Sequence, residues 1–177
     1  LTDFKKPVLT IENPQSNTSI NSGNIDFALS EDLNKGVVVW IPEGSTIDSP
    51  LSQIMSLDAE ELKQGEHFGK EMIFPPTLEN NKNYNIAFYG IDFADNYSDT
   101  IYVNNVLYDT INPIIIVNYP SNNQSINEFL PSYSLSENLN NAKIIVNRIE
   151  GNEDLDSPYF FDINSSDLKA GLNTNIS

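Results

Sequence analysis

The sequence has no cysteine, one histidine, one tryptophan and few bases, 9 Lys and Arg against 25 Asp and Glu. Without cysteine there is no disulfide framework and no thiolate metal site, although the redox compartment stays open. The net charge of −16 argues against nucleic acid, whose binders need basic patches to displace phosphate counterions. It argues equally against an anionic membrane surface. No apolar run approaches the roughly 20 residues of a membrane helix, so no membrane span is expected in this segment. No signal-peptide layout is visible, and a piece from within a longer chain would carry none. The single histidine, His67, follows Gly65 and reads as an exposed turn residue. Neither G-x-S-x-G nor H-E-x-x-H occurs, and acids are too plentiful for two of them to stand out as a glycosidase pair. A non-enzymatic protein is expected.

What the sequence does contain is a repeat. Pro7, Pro14, Asn17, Ser19, Ile20, Asn21, Leu29, Ser30, Glu31, Leu33 and Asn34 each recur 106 residues later, from Pro113 to Asn140 without a gap. Asp3, Leu62 and Gly65 recur as Asp109, Leu168 and Gly171. That period is about one domain long and much longer than the roughly 20–50 residues of a solenoid unit. The expected organisation is two tandem copies, 1–109 and 110–177. The second copy stops at Ser177 without counterparts for Met72 to Asp109. It is expected either to belong to a longer array or to be completed by strands supplied from another segment.

Asparagine is about a seventh of the chain, which favours turns and strand ends over long helices. Val8 to Ile11 reads as a first strand, stopped by Asn13-Pro14. Ile25, Phe27 and Leu29 alternate with polar or small residues, the period of a half-buried strand. Tyr133 and Leu135 hold the same face in the second copy. Ser30 to Lys35 reads as a loop. Gly36 to Ile41 is too apolar to phase alone, but Lys143 and Asn147 stand at the places of Val37 and Ile41. Those positions should face out, and Val38 and Trp40 in. Further strands are expected at Leu51–Leu57, Met72–Phe74, Asn83–Phe93 and Thr100–Tyr108. Asp58 with Glu61 three residues on has the spacing of a capping box, so one helical turn is expected there. Tyr84, Ile86 and Phe88 should share the buried face of their strand. About seven short strands per copy, with no long helix, predict an all-β, antiparallel β-sandwich rather than a small β-barrel.

Several stretches together resemble the bacterial immunoglobulin-like or fibronectin-III-like repeats of large surface adhesins. They are the joint Tyr108-Asp109-Thr110-Ile111-Asn112-Pro113, the loop Ser30-Glu31-Asp32-Leu33, EELKQG with its copy SDLKAG, and YNIAFYGIDFADN. The last is usually written Y-x-I-x-F-x-A-x-D-x-A-G-N in such repeats. Asp95 stands where that pattern has glycine, and Asp tolerates left-handed backbone. A tryptophan inside the third strand and a tyrosine opening the penultimate one fit immunoglobulin-type sandwiches. The resemblance implies tandem Ig-like domains, the second incomplete, in an extracellular or cell-surface bacterial stalk. Its partners would be neighbouring repeats of the same chain, and a host or surface glycan or protein reached through other domains.

Sandwich topology gathers the joint, the loop after the second strand and the last hairpin at one pole. For the first copy that pole holds Asp3, Glu31, Asp32, Asp92, Asp95, Asn96 and Asp99; for the second, Asp109, Glu137 and Asn138. Hard oxygen ligands on loops suit Ca2+, which takes about 6–8 oxygens. Calcium at the joints is therefore one reading, and solvated acids in an acid-rich chain are the other. A carbohydrate- or protein-binding module using the loops, and an accessory domain of a secreted hydrolase, are the other functions considered. Exposed Tyr89 and Tyr102 would serve the first of these. N-x-S/T sequons at Asn17, Asn96, Asn123, Asn164 and Asn175 are expected by chance at this asparagine content.

Overall fold

Alternating apolar residues give each strand one face to bury, and the structure shows where those faces meet. A computed structural model describes residues 3–69 and 71–174; the sequon at Asn175 lies outside the described residues. The protein is all-β, with no α-helix and one 3-10 turn, Ser165–Asp167, among the described residues. The chain divides into two compact units, Leu1–Ile111 and Asn112–Ser177.

Unit 1 contains β1 (Leu9–Asn13), β2 (Ser19–Ile20), β3 (Asp26–Leu29), β4 (Leu33–Pro42), β5 (Gln53–Ser56), β6 (Gly65–His67), β7 (Lys82–Asp92) and β8 (Ile101–Tyr108). They form two sheets, β1-β3-β6 and β2-β8-β7-β4-β5. One core joins the sheets: Leu9, Phe27 and Leu29 from the smaller, and Val38, Trp40, Tyr84, Ile86, Phe88, Val103 and Val106 from the larger. This two-layer packing is consistent with a β-sandwich. The phase read from the second copy is observed, with Val38 and Trp40 both fully buried in that core.

Several expectations are corrected. Val37 and Ile41 do lie on the opposite face of β4, but they are buried there with Val39 and Ala87, under Ile47 and Tyr89. The strand begins at Leu33, so only the first part of Ser30–Lys35 is loop. Met72–Phe74 is not a strand. Its amides are satisfied instead by side chains, Met72 N–H donating to Asn24 Oδ1 at 3.1 Å and Ile73 N–H to Glu61 Oε1 at 3.0 Å. The Asp58 box forms its reciprocal bonds, from Glu61 N–H to Asp58 Oδ1 at 2.8 Å and from Asp58 N–H to Glu61 Oε2 at 2.9 Å. The turn they close is the single one expected, with Leu62 N–H donating to Asp58 O at 3.0 Å. The sheets are not wholly antiparallel, because β2 runs parallel to β8.

Unit 2 contains β9 (Ile115–Tyr119), β10 (Ser132–Leu135), β11 (Lys143–Val146), β12 (Tyr159–Asp162) and β13 (Gly171–Asn173). Its pairings copy those of unit 1 residue for residue at the repeat shift. Leu9↔Leu29 becomes Ile115↔Leu135, and Phe27↔His67 becomes Tyr133↔Asn173. Val38↔Met55 becomes Ile144↔Phe161. Single hydrogen bonds are copied too: Leu33 N–H to Leu62 O and Leu139 N–H to Leu168 O are both 2.9 Å. Gly65 and Gly171 share positive φ, +124° and +100°, a backbone that favours glycine. Nothing in unit 2 corresponds to β7 and β8 among the described residues.

Candidate functional site

The β4–β7 register builds the candidate site. It pairs Leu33 with Asp92, so the loop before β4 lies beside the end of β7. The leading segment is tied to the same loop, because Ser30 N–H donates to Val8 O at 3.0 Å and Val8 N–H to Ser30 Oγ at 2.8 Å. Asp3, Glu31 and Asp92 thereby converge, with one carboxylate oxygen from each within 4.8 Å of the others. Asp3 is exposed, Glu31 half-buried and Asp92 buried.

Asp92 is the most elaborated of the three. Its Oδ1 accepts from Ala94 N–H and Asn96 N–H, both at 2.8 Å, and its Oδ2 accepts from Asn96 Nδ2 at 2.8 Å. Asn96 Nδ2 also reaches Asp3 O at 3.3 Å. Burial alone would raise the Asp92 pKa, but the bonds from the Asn96 side chain, Asn96 N–H and Ala94 N–H outweigh it, and the carboxyl lies below its ordinary value. These bonds shape the hairpin turn, in which Asp95 adopts left-handed backbone at φ +63°. Three acids so close repel one another, and a hard cation bridging them would relieve that repulsion.

The remaining proposed ligands sit elsewhere. Asp32 turns away to Gln64 N–H at 2.8 Å and Lys63 Nζ at 3.2 Å; the Gln64 bond first and Lys63 second lower its pKa. Asp95 is exposed and outside the converging set. Asp99 pairs with Lys6 at 2.9 Å. Asp109 Oδ1 accepts from Ile111 N–H at 3.0 Å. In unit 2, Glu137 is half-buried, and Asn138 repeats the bond of Asp32 by accepting from Ala170 N–H at 2.9 Å.

His67 is not an exposed turn residue. It lies on β6, half-buried, its ring stacked on Phe27 at 4.6 Å and Nε2 bonded to Lys63 O at 2.8 Å. Asn173 makes the matching bond to Lys169 O at 2.9 Å, so the position is one of strand architecture. Trp40 is in the core, its Nε1 without a hydrogen-bond partner among the described residues.

Sequence reasoning did not single out a second feature, an open apolar cleft of about 510 Å³ in unit 2, between β9–β10 on one side and β11 on the other. The signal for it was the missing counterpart of β7 and β8. No protein-family model matches the chain, and no curated protein matches it.

Proposed function

We propose that the chain is a non-enzymatic spacer, built from tandem immunoglobulin- or fibronectin-III-like sandwiches of an extracellular bacterial adhesin or surface filament. It would hold a distal binding region away from the cell. The observation that carries this reading is the parallel pairing of β2 with β8. Leu107 N–H donates to Thr18 O at 2.9 Å, and Asp109 N–H to Ile20 O at 2.8 Å. Asn105 Nδ2 adds a bond to Asn17 Oδ1 at 3.0 Å. Tension entering before β1 and leaving after β8 pulls these two parallel segments past each other. Their bonds are loaded together, in shear, whereas an antiparallel hairpin pulled from its open end peels one bond at a time. A domain whose purpose is to carry load benefits from that geometry; a catalytic domain gains nothing from it.

Calcium belongs to the same proposal. A cation held by Asp3, Glu31 and Asp92 would fasten the leading segment to unit 1 and offset local charge repulsion. Binding through loops is the second reading, favoured by exposed Phe4, Phe93 and Tyr97, which neighbour Asp3, Asp92 and Asn96 in the chain. A glycan or protein surface would be its partner.

Single-molecule pulling tests the spacer. Asp109→Pro removes the N–H that bonds Ile20 O, whereas Asp109→Ala keeps it. Unit 1 should unfold at a resolved force that drops with the proline and not with the alanine. Equal forces in all three chains would overturn the reading.

A further inference from the structure

Unit 2 has an unfilled place whose shape is recorded in unit 1. We propose that the open edge of β11 accepts an added antiparallel strand, and that the occupant is a hairpin of the β7–β8 type whose β7 edge is not already paired. The inference rests on the repeat relation, not on the spacer or calcium reading.

Three observations carry it. The first is the copied register. In unit 1 the edge of β4 opposite β5 is covered by β7, with Val37, Val38, Val39 and Trp40 facing Tyr89, Phe88, Ala87 and Ile86. Lys143, Ile144, Ile145 and Val146 of β11 stand at those four places, and among the described residues β11 pairs only with β12. The second is what lies bare. Leu9 is 3 % exposed and its counterpart Ile115 52 %; Val39 is 1 % exposed and Ile145 53 %. The β7 and β8 side chains Ile86, Phe88, Val103 and Val106 complete the core around Leu9 in unit 1. Apolar surface beside an unpaired strand edge invites strand addition. The third is the cleft beside that edge, which is lined by Val117, Tyr133, Leu135, Ile144 and Val146. A second copy of this chain is a poor donor, because its own β7 is paired on both edges, by β4 and β8.

The register follows directly: Ile144 opposite the position of Phe88, and Val146 opposite that of Ile86. The probe is a synthetic peptide of residues 82–108, titrated into the full chain by calorimetry with amide hydrogen exchange. The expected result is saturable one-to-one binding, new protection of the β11 amides on the free edge, and unchanged Trp40 fluorescence. The same peptide carrying Ile86→Asp and Phe88→Asp should bind at least about 100-fold more weakly. These variants change the peptide and leave the folding of the chain untouched. No saturable binding up to about millimolar, equal binding by the double variant, or slowed exchange on β4 with altered Trp40 emission would each overturn the proposal. So would a stable dimer of the free chain with β11 already protected.

Discussion

The hydroxyl of Tyr84 accepts a hydrogen bond from Glu79 N–H at 2.9 Å, tying the entry of β7 to the corner that precedes it. The same ring meets Trp40 edge-on at 6.1 Å between centroids. Tyr84 thus fixes a loop with one end and fills the core with the other. Tyr84→Phe keeps the ring and loses the bond. Its expected cost is about 1 kcal/mol, read as a lower urea midpoint at unchanged slope.

Trp40 offers a separate test, because it is fully buried yet its Nε1–H has no partner among the described residues. Trp40→Ala should cost about 3–5 kcal/mol through lost contacts and the cavity left behind. Trp40→Phe should cost clearly less, since it also removes a polar group buried without compensation. Circular dichroism during urea unfolding checks the order. As the only tryptophan, Trp40 also makes wild-type fluorescence a reporter of unit 1 alone.

Acid should weaken the loop at the end of β7. The folded pKa of Asp92 is depressed, so the stability it contributes is present above the unfolded value of about 3.9. It is lost as pH falls through the lower folded value. Asp92→Asn sets an amide against the donating Asn96 side chain and should be less stable at neutral pH, with a flatter acid limb. Urea midpoints from neutral pH down to about pH 2.5 measure both. An acid limb equally steep in the variant would contradict this role of Asp92.

Calcium should raise the melting temperature of the intact chain, since a ligand that binds only the folded state stabilises it. At 100 times its dissociation constant the gain is about 2.7 kcal/mol. The double variant Asp3→Asn with Glu31→Gln should abolish the response and keep the fold, because neither side chain is buried. No shift in the wild type up to several millimolar would remove calcium from the account and leave the spacer intact.

The sequence revealed most where a pattern was strong or written twice. Lys143 and Asn147 phased β4 correctly, and the alternation in β7 located Tyr84, Ile86 and Phe88. What escaped depended on distant partners. Two residues, Ser19–Ile20, carry too little pattern to read as a strand, and only their pairing with Leu107–Tyr108 makes β2 one. Asp32 looked equivalent to Glu31 until Lys63 and Gln64 drew it away. Polar residues at the copied places predict that Val37 and Ile41 face outward; they are nonetheless buried because Ile47 and Tyr89 pack over that face. In the candidate site, Asp3, Glu31 and Asp92 were foreseeable from the strand order, since a loop and a hairpin at one pole must approach each other. The separation of Asp95 and Asp109 from them depends on local turns that spacing does not encode.

The claim beneath all of this is that one pairing scheme is built twice, closed in unit 1 and open in unit 2. Native-state hydrogen exchange at matched amides tests it most directly, using Leu33 with Leu139 and Gln64 with Ala170, which donate equivalent bonds in the two units. The account predicts that all four are protected, with Leu33 and Gln64 opening only as Trp40 fluorescence reports unfolding, and Leu139 and Ala170 opening at a distinctly lower free energy. Protection absent at Leu139 and Ala170, or a single opening free energy shared by all four, would contradict it.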